Sequence, residues 1–236
     1  MFMELEKKLT IVIPCKNESE TISKTLDLLN YQTGIKNVDV IVADSSTDNT
    51  VELLSKRNND KFKLLIVRGG YPSVARNNGA SLVITPFVLF LDSDIFLMSS
   101  NTLIDTLNLI TDKNKELVTI KFESDNRKHN SKFKSFSFFQ KYISEFSPFA
   151  LGGFMMLPMD KFKEIGKFNE DVLVAEDYLL SRKIKPNRFE IANIKAFTTP
   201  RRYEKKSVWY MLKLVCKSYI NRNNLDYFKK DHNYWV

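Results

Sequence analysis

Phe87-Val88-Leu89-Phe90-Leu91-Asp92-Ser93-Asp94 is an unbroken apolar run that stops on two carboxylates one residue apart. The run has the length and composition of a strand buried on both faces, as in a parallel sheet covered by helices. In an open α/β sheet, ligands bind in the crevice beyond the carboxyl ends of the strands. Acids at the end of such a strand therefore project into that crevice. Placed side by side without a cation, Asp92 and Asp94 would oppose each other's ionisation. A hard divalent ion, Mn2+ or Mg2+, relieves the conflict and can in turn hold a substrate diphosphate. The same stretch also reads as a strand ending in a polar turn, with Asp94 capping the next helix.

Working outward, residues 9–14, 38–43 and 64–67 are further short apolar runs, and residues 118–122 form another downstream. Helical patterns separate them at 18–30, 49–57, 73–84 and 101–110, with Ile22, Leu26 and Leu29 on one face of the first. Strands separated by helices imply parallel pairing with right-handed crossovers. Every turn that follows a strand then lies on one edge of the sheet, where such turns can converge on one ligand. The second half is less regular. Residues 126–147 are polar and aromatic-rich and read as a helix or a segment covering the site. A strand follows the turn at Gly152-Gly153, with short helices at 161–165 and 175–184. A long amphipathic helix is expected over 204–227, where Val208, Met211, Leu212, Val215 and Tyr219 align with lysines on the other face. The expected fold class is α/β: a Rossmann-like, mostly parallel central sheet flanked by helices, with a long C-terminal helix. No repeat or linker divides the chain. A single domain over 1–236 is expected, with a nucleotide-binding half (1–125), an acceptor and catalytic half (126–203) and a C-terminal helical segment (204–236).

Composition narrows the chemistry. Of 236 residues, 43% are hydrophobic, enough for a substantial core. The net charge is +8, from 36 basic and 28 acidic residues. That excess suits an anionic partner such as a nucleotide diphosphate, a lipid head group or nucleic acid, although a lysine-rich solvated surface has the same composition. Two distant cysteines make neither a disulfide framework nor a zinc spacing, which points to a reducing compartment. Two histidines leave no polyhistidine metal site. The amino terminus carries no signal-peptide pattern and no run of about 18 apolar residues is present, so the expected location is the cytoplasm.

Several constellations carry chemistry. Asp44 ends the second apolar run and can accept a hydrogen bond from a base N–H or a ribose hydroxyl, while Asp48 reads as the cap of the following helix. Gly69-Gly70 precede a helix that carries Arg76 in its early turns, which reads either as a surface arginine beside a glycine turn or as a natural place for an anion. Glu176-Asp177 either complement a helix dipole or supply a general base. Arg201-Arg202, with Lys205-Lys206 close behind, could steady a leaving diphosphate, touch an anionic membrane, or form a solvated turn. In the C-terminal helix, Trp209, Met211, Leu212 and Val215 beside Lys205, Lys206, Lys213 and Lys217 fit either a helix packed on its own domain or one lying on an anionic bilayer at the inner face of the membrane.

Taken in order, Thr10-Ile11-Val12-Ile13-Pro14-Cys15-Lys16-Asn17-Glu18, Val40-Ile41-Val42-Ala43-Asp44-Ser45-Ser46-Thr47-Asp48, Ala75-Arg76-Asn77-Asn78-Gly79, Asp92-Ser93-Asp94, Gly152-Gly153-Phe154, Ile165-Gly166-Lys167-Phe168-Asn169-Glu170 and Glu176-Asp177 resemble the family 2 glycosyltransferases, with the A-type nucleotide-diphospho-sugar transferase fold. The resemblance implies that Pro14, Lys16, Glu18 and Asp44 hold the nucleoside. It places Arg76 and Asn77 near the base and diphosphate, and makes Asp92-Ser93-Asp94 the donor-binding motif with Asp92 and Asp94 as metal ligands. It implies that Asp177, beside Glu176, is the base, and that Gly152 and Gly153 line the sugar and acceptor pocket. For Arg201 and Arg202 it implies a basic loop beside the donor. The chain has Ala43-Asp44 where the family commonly carries two acids, and it lacks the Gln-x-x-Arg-Trp of processive synthases.

The implied activity is an inverting, metal-dependent transfer from a nucleotide-diphosphate sugar to a hydroxyl of a glycan or lipid-linked acceptor. UDP is the first expectation for the donor, ahead of GDP or TDP. One alternative keeps the fold but makes a nucleotide sugar, as a nucleotidyltransferase would. The glycine-free Pro14-Cys15-Lys16-Asn17-Glu18 speaks against it. Another is a non-catalytic module binding anions or nucleic acid, against which scattered lysines and converging acids argue. Nucleic acid is not expected as a partner.

Overall fold

The computed structural model describes residues 4–126, 130–199, 201 and 208–232, without the side chains of 130–132, 134–136, 208–209 and 211–212. Its strands are β1 (Leu9–Cys15), β2 (Asp39–Asp44), β3 (Lys63–Arg68), β4 (Phe87–Leu91), β5 (Ile95–Phe96), β6 (Leu117–Ser124), β7 (Phe154–Pro158) and β8 (Phe189–Thr198). The helices are α1 (Ile22–Asn30), α2 (Thr50–Ser55), α3 (Pro72–Ala80), α4 (Thr102–Lys113), α5 (Asn130–Ser144), α6 (Met159–Glu164), α7 (Glu176–Ser181), α8 (Val208–Ile220) and α9 (Leu225–Phe228). The strands form one sheet in the order β3-β2-β1-β4-β7-β6-β8-β5.

The apolar runs become strands because both faces of the sheet are covered. Leu89 and Leu91 belong to a core with Ile22, Leu26 and Leu29 of α1 and Leu103 and Leu107 of α4. Val88 and Phe90 belong to a second core with Ala80 of α3, Phe162 of α6 and Leu180 of α7. A strand buried on both sides needs no polar alternation. On the second face Phe90 meets Phe168 edge-on, with centroids 4.9 Å apart. Gly79 lets α3 lie close on β1, since a Cβ there would sit 2.4 Å from a Val12 methyl.

β1 to β4 pair in parallel, as the helical spacers require. Beyond β4 the order departs from simple alternation. β7 inserts antiparallel between β4 and β6, and β5 returns antiparallel against β8. β8, which pairs in parallel with β6, has no counterpart among the sequence expectations. Most of its residues are only partly buried and its register slips at Ile120/Lys121, so it lacks a clean apolar period. The carboxyl ends of β1, β2, β4, β6 and β8 nevertheless share one edge.

The C-terminal helix expected over 204–227 is not continuous. Residues 204–207 lie outside the described residues, α8 stops at Ile220, and a turn at 221–224 precedes α9. That turn reads Asn-Arg-Asn-Asn, and asparagine side chains compete for backbone hydrogen bonds. Accordingly, the Asn221 side-chain amide donates to the Lys217 carbonyl at 2.9 Å. No helix among the described residues is long and apolar enough to cross a membrane.

Candidate active site

Asp92-Ser93-Asp94 forms the turn between β4 and β5. The Ile95 N–H closes it on the Asp92 carbonyl at 3.2 Å, and the Asp92 N–H donates to the Gly153 carbonyl at 3.1 Å. Asp94 does not cap a helix, because α4 begins only at Thr102, after Asn101. The Ser93 carbonyl accepts from the buried Thr25 hydroxyl at 2.7 Å, which ties the turn to α1. Both aspartates keep accessible side chains, 32% exposed for Asp92 and 27% for Asp94.

The deepest charge is Arg76, 3% exposed, on α3. One Nη of its guanidinium donates to Asp92 at 2.7 Å and the other to Glu176 at 2.6 Å. Burial opposes that charge, but Asp92, Glu176 and Asp177 outweigh it and hold the pKa above its ordinary value. The planar fork of arginine suits this double engagement, where a lysine could not serve both acids in one geometry. Arg76 thus spans the end of β4 and the start of α7. The sequence pointed to Arg76 as an anion site; the structure shows it engaged with protein carboxylates.

Asp177 sits in the first turn of α7, entered through Ala175 in the left-handed region at φ 56. Its two oxygens accept the Gly152 and Tyr178 N–H groups, each at 2.7 Å. Burial, followed by the neighbouring Glu176 charge, pushes its pKa up to about 7, against the lowering influence of Arg76 and the two N–H groups. Gly152 is held to glycine by this cluster, since an added Cβ would lie 2.8 Å from Arg76 and 3.4 Å from the Asp177 carboxylate. An added Cβ at Gly153 would come 3.0 Å from Ile95 and 3.1 Å from Phe122.

A third group closes the other side. Arg201, just after β8, donates to Glu18 at 2.6 Å and stands 3.6 Å from Asp94. The Thr199 hydroxyl lies between them, donating to Asp94 at 3.4 Å. Burial works against the Arg201 charge, and Glu18 and Asp94 raise its pKa regardless.

These groups line one cleft of ≈ 760 Å3 at the carboxyl edge of the sheet. Pro14, Lys16, Glu18, Arg76, Asp92, Ser93, Asp94, Gly152, Gly153, Glu176, Asp177 and Arg201 all border it. Asp44 and Asn77 lie outside that lining. The Asp44 carboxylate accepts from the Ser46 N–H at 3.0 Å and its hydroxyl at 2.7 Å, shaping its own turn. The Asn77 amide donates to the Phe168 carbonyl at 2.9 Å and to Glu170 at 2.8 Å, fastening the 168–170 segment. Arg202 lies outside the described residues, as do Lys205 and Lys206. The sequence reading gave no site role to Tyr71, Phe149, Tyr178 or Thr199, which also line the cleft, as do Phe133 from the segment expected to cover the site and Tyr219 from the apolar face of the C-terminal helix. They come from helices and strand ends far apart in the chain, and no local pattern marks them.

The family profile of "glycosyl transferase family 2" matches residues 10–166. The chain belongs to glycosyl transferase family 2. Within this family, the chain is 28% identical over 220 residues to the Staphylococcus aureus poly(ribitol-phosphate) beta-N-acetylglucosaminyltransferase TarS, covering 86% of this chain. The chain spans 38% of the length of that relative. The amylovoran biosynthesis glycosyltransferase AmsB of Erwinia amylovora is 34% identical over 91 residues, 36% of this chain and 30% of its own length. Among solved structures, S. aureus TarS 1-349 in complex with UDP-GlcNAc superposes with a TM-score of 0.64 at 24% identity, over 81% of this chain and 58% of that one. The Pyrobaculum calidifontis mannosyltransferase PcManGT, in complex with GDP-Man and Mn2+, gives 0.66 at 18% identity, over 81% and 56%. These two likenesses establish the family fold, a mainly parallel sheet flanked by helices.

Among the described residues no group of three or more His, Cys, Asp or Glu could hold a metal ion. Asp92 and Asp94 offer two hard oxygen donors on one accessible turn. That donor set fits Mg2+ or Mn2+ where ligand phosphates and water complete the shell, the usual arrangement for Mg2+.

Proposed function

We propose that this protein is an inverting, metal-dependent glycosyltransferase that moves a sugar from a nucleotide-diphosphate donor to a hydroxyl acceptor, a glycan or a lipid-linked saccharide. The observation that carries the reading is the convergence of Asp92, Asp94, Arg76, Glu176 and Asp177 on one cleft at the carboxyl edge of the sheet. Family membership supports the same reaction class. TarS is known with UDP-GlcNAc and PcManGT with GDP-Man, so a nucleotide sugar is the natural donor here, UDP-linked first.

In this reading Asp92 and Asp94 hold the cation and the donor diphosphate, with Pro14, Lys16 and Glu18 on the nucleoside side. An Mn2+ or Mg2+ held there would neutralise charge on the departing diphosphate. Arg201, now paired with Glu18, adds a second positive charge beside the same oxygens. Asp177 accepts the proton of the acceptor hydroxyl as it attacks C1 from the face opposite the diphosphate. A pKa near neutrality suits that task. Both Asp177 oxygens accept backbone N–H groups, which fixes the carboxylate while leaving each oxygen a further lone pair. Glu176 holds Arg76 in place and raises the basicity of Asp177. The C–O bond to the diphosphate breaks as the new glycosidic bond forms, so a single displacement inverts the anomeric centre. Val215 and Tyr219 of α8 pack against Phe149 and Tyr178, which favours a helix docked on its own domain over one lying on a bilayer. The protein then works in the cytoplasm.

A thermal-shift panel of UDP-, GDP- and TDP-sugars with and without Mn2+ tests the donor. At a hundred times its dissociation constant, the correct donor should stabilise the fold by about 2.7 kcal/mol. Asp92→Asn and Asp177→Asn should each lower transfer by about a hundredfold or more. Undiminished transfer in both variants would refute the assignment.

A further inference from the structure

The positive charge of this chain is concentrated in two segments. Residues 126–147 carry five basic residues against one acid, and residues 201–232 carry nine against three. Together they exceed the +8 of the whole chain, so the remainder is slightly acidic. These segments supply α5 and α8. Ile143 of α5 and Val215 and Tyr219 of α8 pack on the same pair, Phe149 and Tyr178. All five side chains border the cleft, so the two basic helices converge at one wall of it.

The opposite side of α5 is bare. Phe133 and Gln140 are buried, whereas Phe138, Tyr142 and Phe146 are 77%, 61% and 70% exposed. None of these three borders the cleft. They recur every fourth residue and so fall on one face. The rings of Tyr142 and Phe146 meet edge-on with centroids 5.9 Å apart. Large apolar side chains exposed singly, such as Tyr31 and Met98, are ordinary. Three aromatic rings in one stripe make a contiguous patch of the kind that marks an interaction surface. Lys141 is exposed beside the stripe, and Glu145 is the acid of that segment. On α8, Lys213, Lys217 and Ile220 are exposed as well.

We propose that the aromatic face of α5 docks this protein on the surface of an anionic bilayer. Phe138, Tyr142 and Phe146 enter the boundary between head groups and acyl chains, and the basic residues of the two segments draw the protein to anionic head groups. Aromatic anchors flanked by lysine and arginine are the composition of helices that lie in a bilayer interface. Protein–protein interfaces, by contrast, are depleted in lysine. The apolar face of α8 is packed inward, so the contact is made through α5. This docking goes beyond the transferase reading and stands without it.

Flotation of the full chain with lipid vesicles tests the idea. Wild type should float with mixed phosphatidylglycerol and phosphatidylcholine vesicles, less so as salt rises, and poorly with phosphatidylcholine alone. F138S/F146S should partition about tenfold more weakly or worse. L82S/I84S, which removes exposed apolar side chains elsewhere, should stay within about twofold. All four side chains are solvent-exposed, so the three proteins should melt alike. Absence of flotation with the anionic vesicles would overturn the proposal. So would full partition by F138S/F146S, an equal loss in L82S/I84S, or binding indifferent to phosphatidylglycerol. A wild-type dimer that F138S/F146S dissolves, with no vesicle binding, would also overturn it and assign the stripe to a second copy of the chain.

Discussion

Gly152 shows how much of the centre hangs on a missing side chain. The Gly152 N–H fixes Asp177, and the space beside its Cα is filled by Arg76. Gly152→Ala should therefore push the guanidinium off its two carboxylates. A loss of about 1–3 kcal/mol is expected from overpacking, read by urea denaturation, together with a fall in transfer that exceeds any loss of donor binding. Asp177 makes a separate, pH-dependent prediction. Its folded pKa of about 7 lies above the ordinary 3.8, so between those values the folded state holds a proton that the unfolded chain has released. By linkage the fold loses stability as pH rises through that window, and Asp177→Asn should flatten the slope. Transfer should rise with pH through about 7, above which the base form dominates. Glu176→Gln removes a charge that raises this pKa, so the rising limb should move to lower pH. A limb that stays put would mean another group sets it.

β4 is the element on which both cores and the site depend. Phe90 is fully buried against Phe162 and Phe168, and two residues later the same strand delivers Asp92. Phe90→Ala should cost about 3–5 kcal/mol, measured by chemical denaturation, with donor binding weakened because the turn loses its anchor. This strand, α1 and the parallel run β1–β4 were legible in the sequence because unbroken apolar runs and a 3.6-residue stripe report burial directly. β8 was not, since most of its residues are only partly buried and its register slips beside Lys121. The break after Ile220 was marked by Asn221, Asn223 and Asn224, but an apolar alignment through Tyr219 concealed it.

At the scale of the molecule, the C-terminal segment reaches back to the loop that leads into Glu176-Asp177. Phe228 is fully buried with Val172 and Val174, and its carbonyl accepts the Leu173 N–H at 2.9 Å. Those residues lead directly into Ala175 and Glu176-Asp177. Phe228→Ala should destabilise the fold by about 3–5 kcal/mol and lower the maximal transfer rate while donor-induced stabilisation persists, a split that calorimetry and steady-state kinetics would resolve. Unaltered kinetics in a folded variant would show that Asp177, the proposed base, is held without this clamp.

The sequence by itself determined the layered α/β fold, the sheet edge on which the site lies, and the acids at 92, 94, 176 and 177, because strand burial and strand-end carboxylates are local patterns. Only the tertiary structure decided that Arg76 engages Asp92 and Glu176 rather than standing free, that Asn77 fastens the 168–170 segment while Asp44 is spent on its own turn, that β7 runs antiparallel, and that the apolar face of α8 borders the cleft. Most of these are relations between residues distant along the chain, Arg76 and Glu176 standing a hundred positions apart. Close packing and charge pairing fix them in space, and neither leaves a mark on the spacing of residues along the chain.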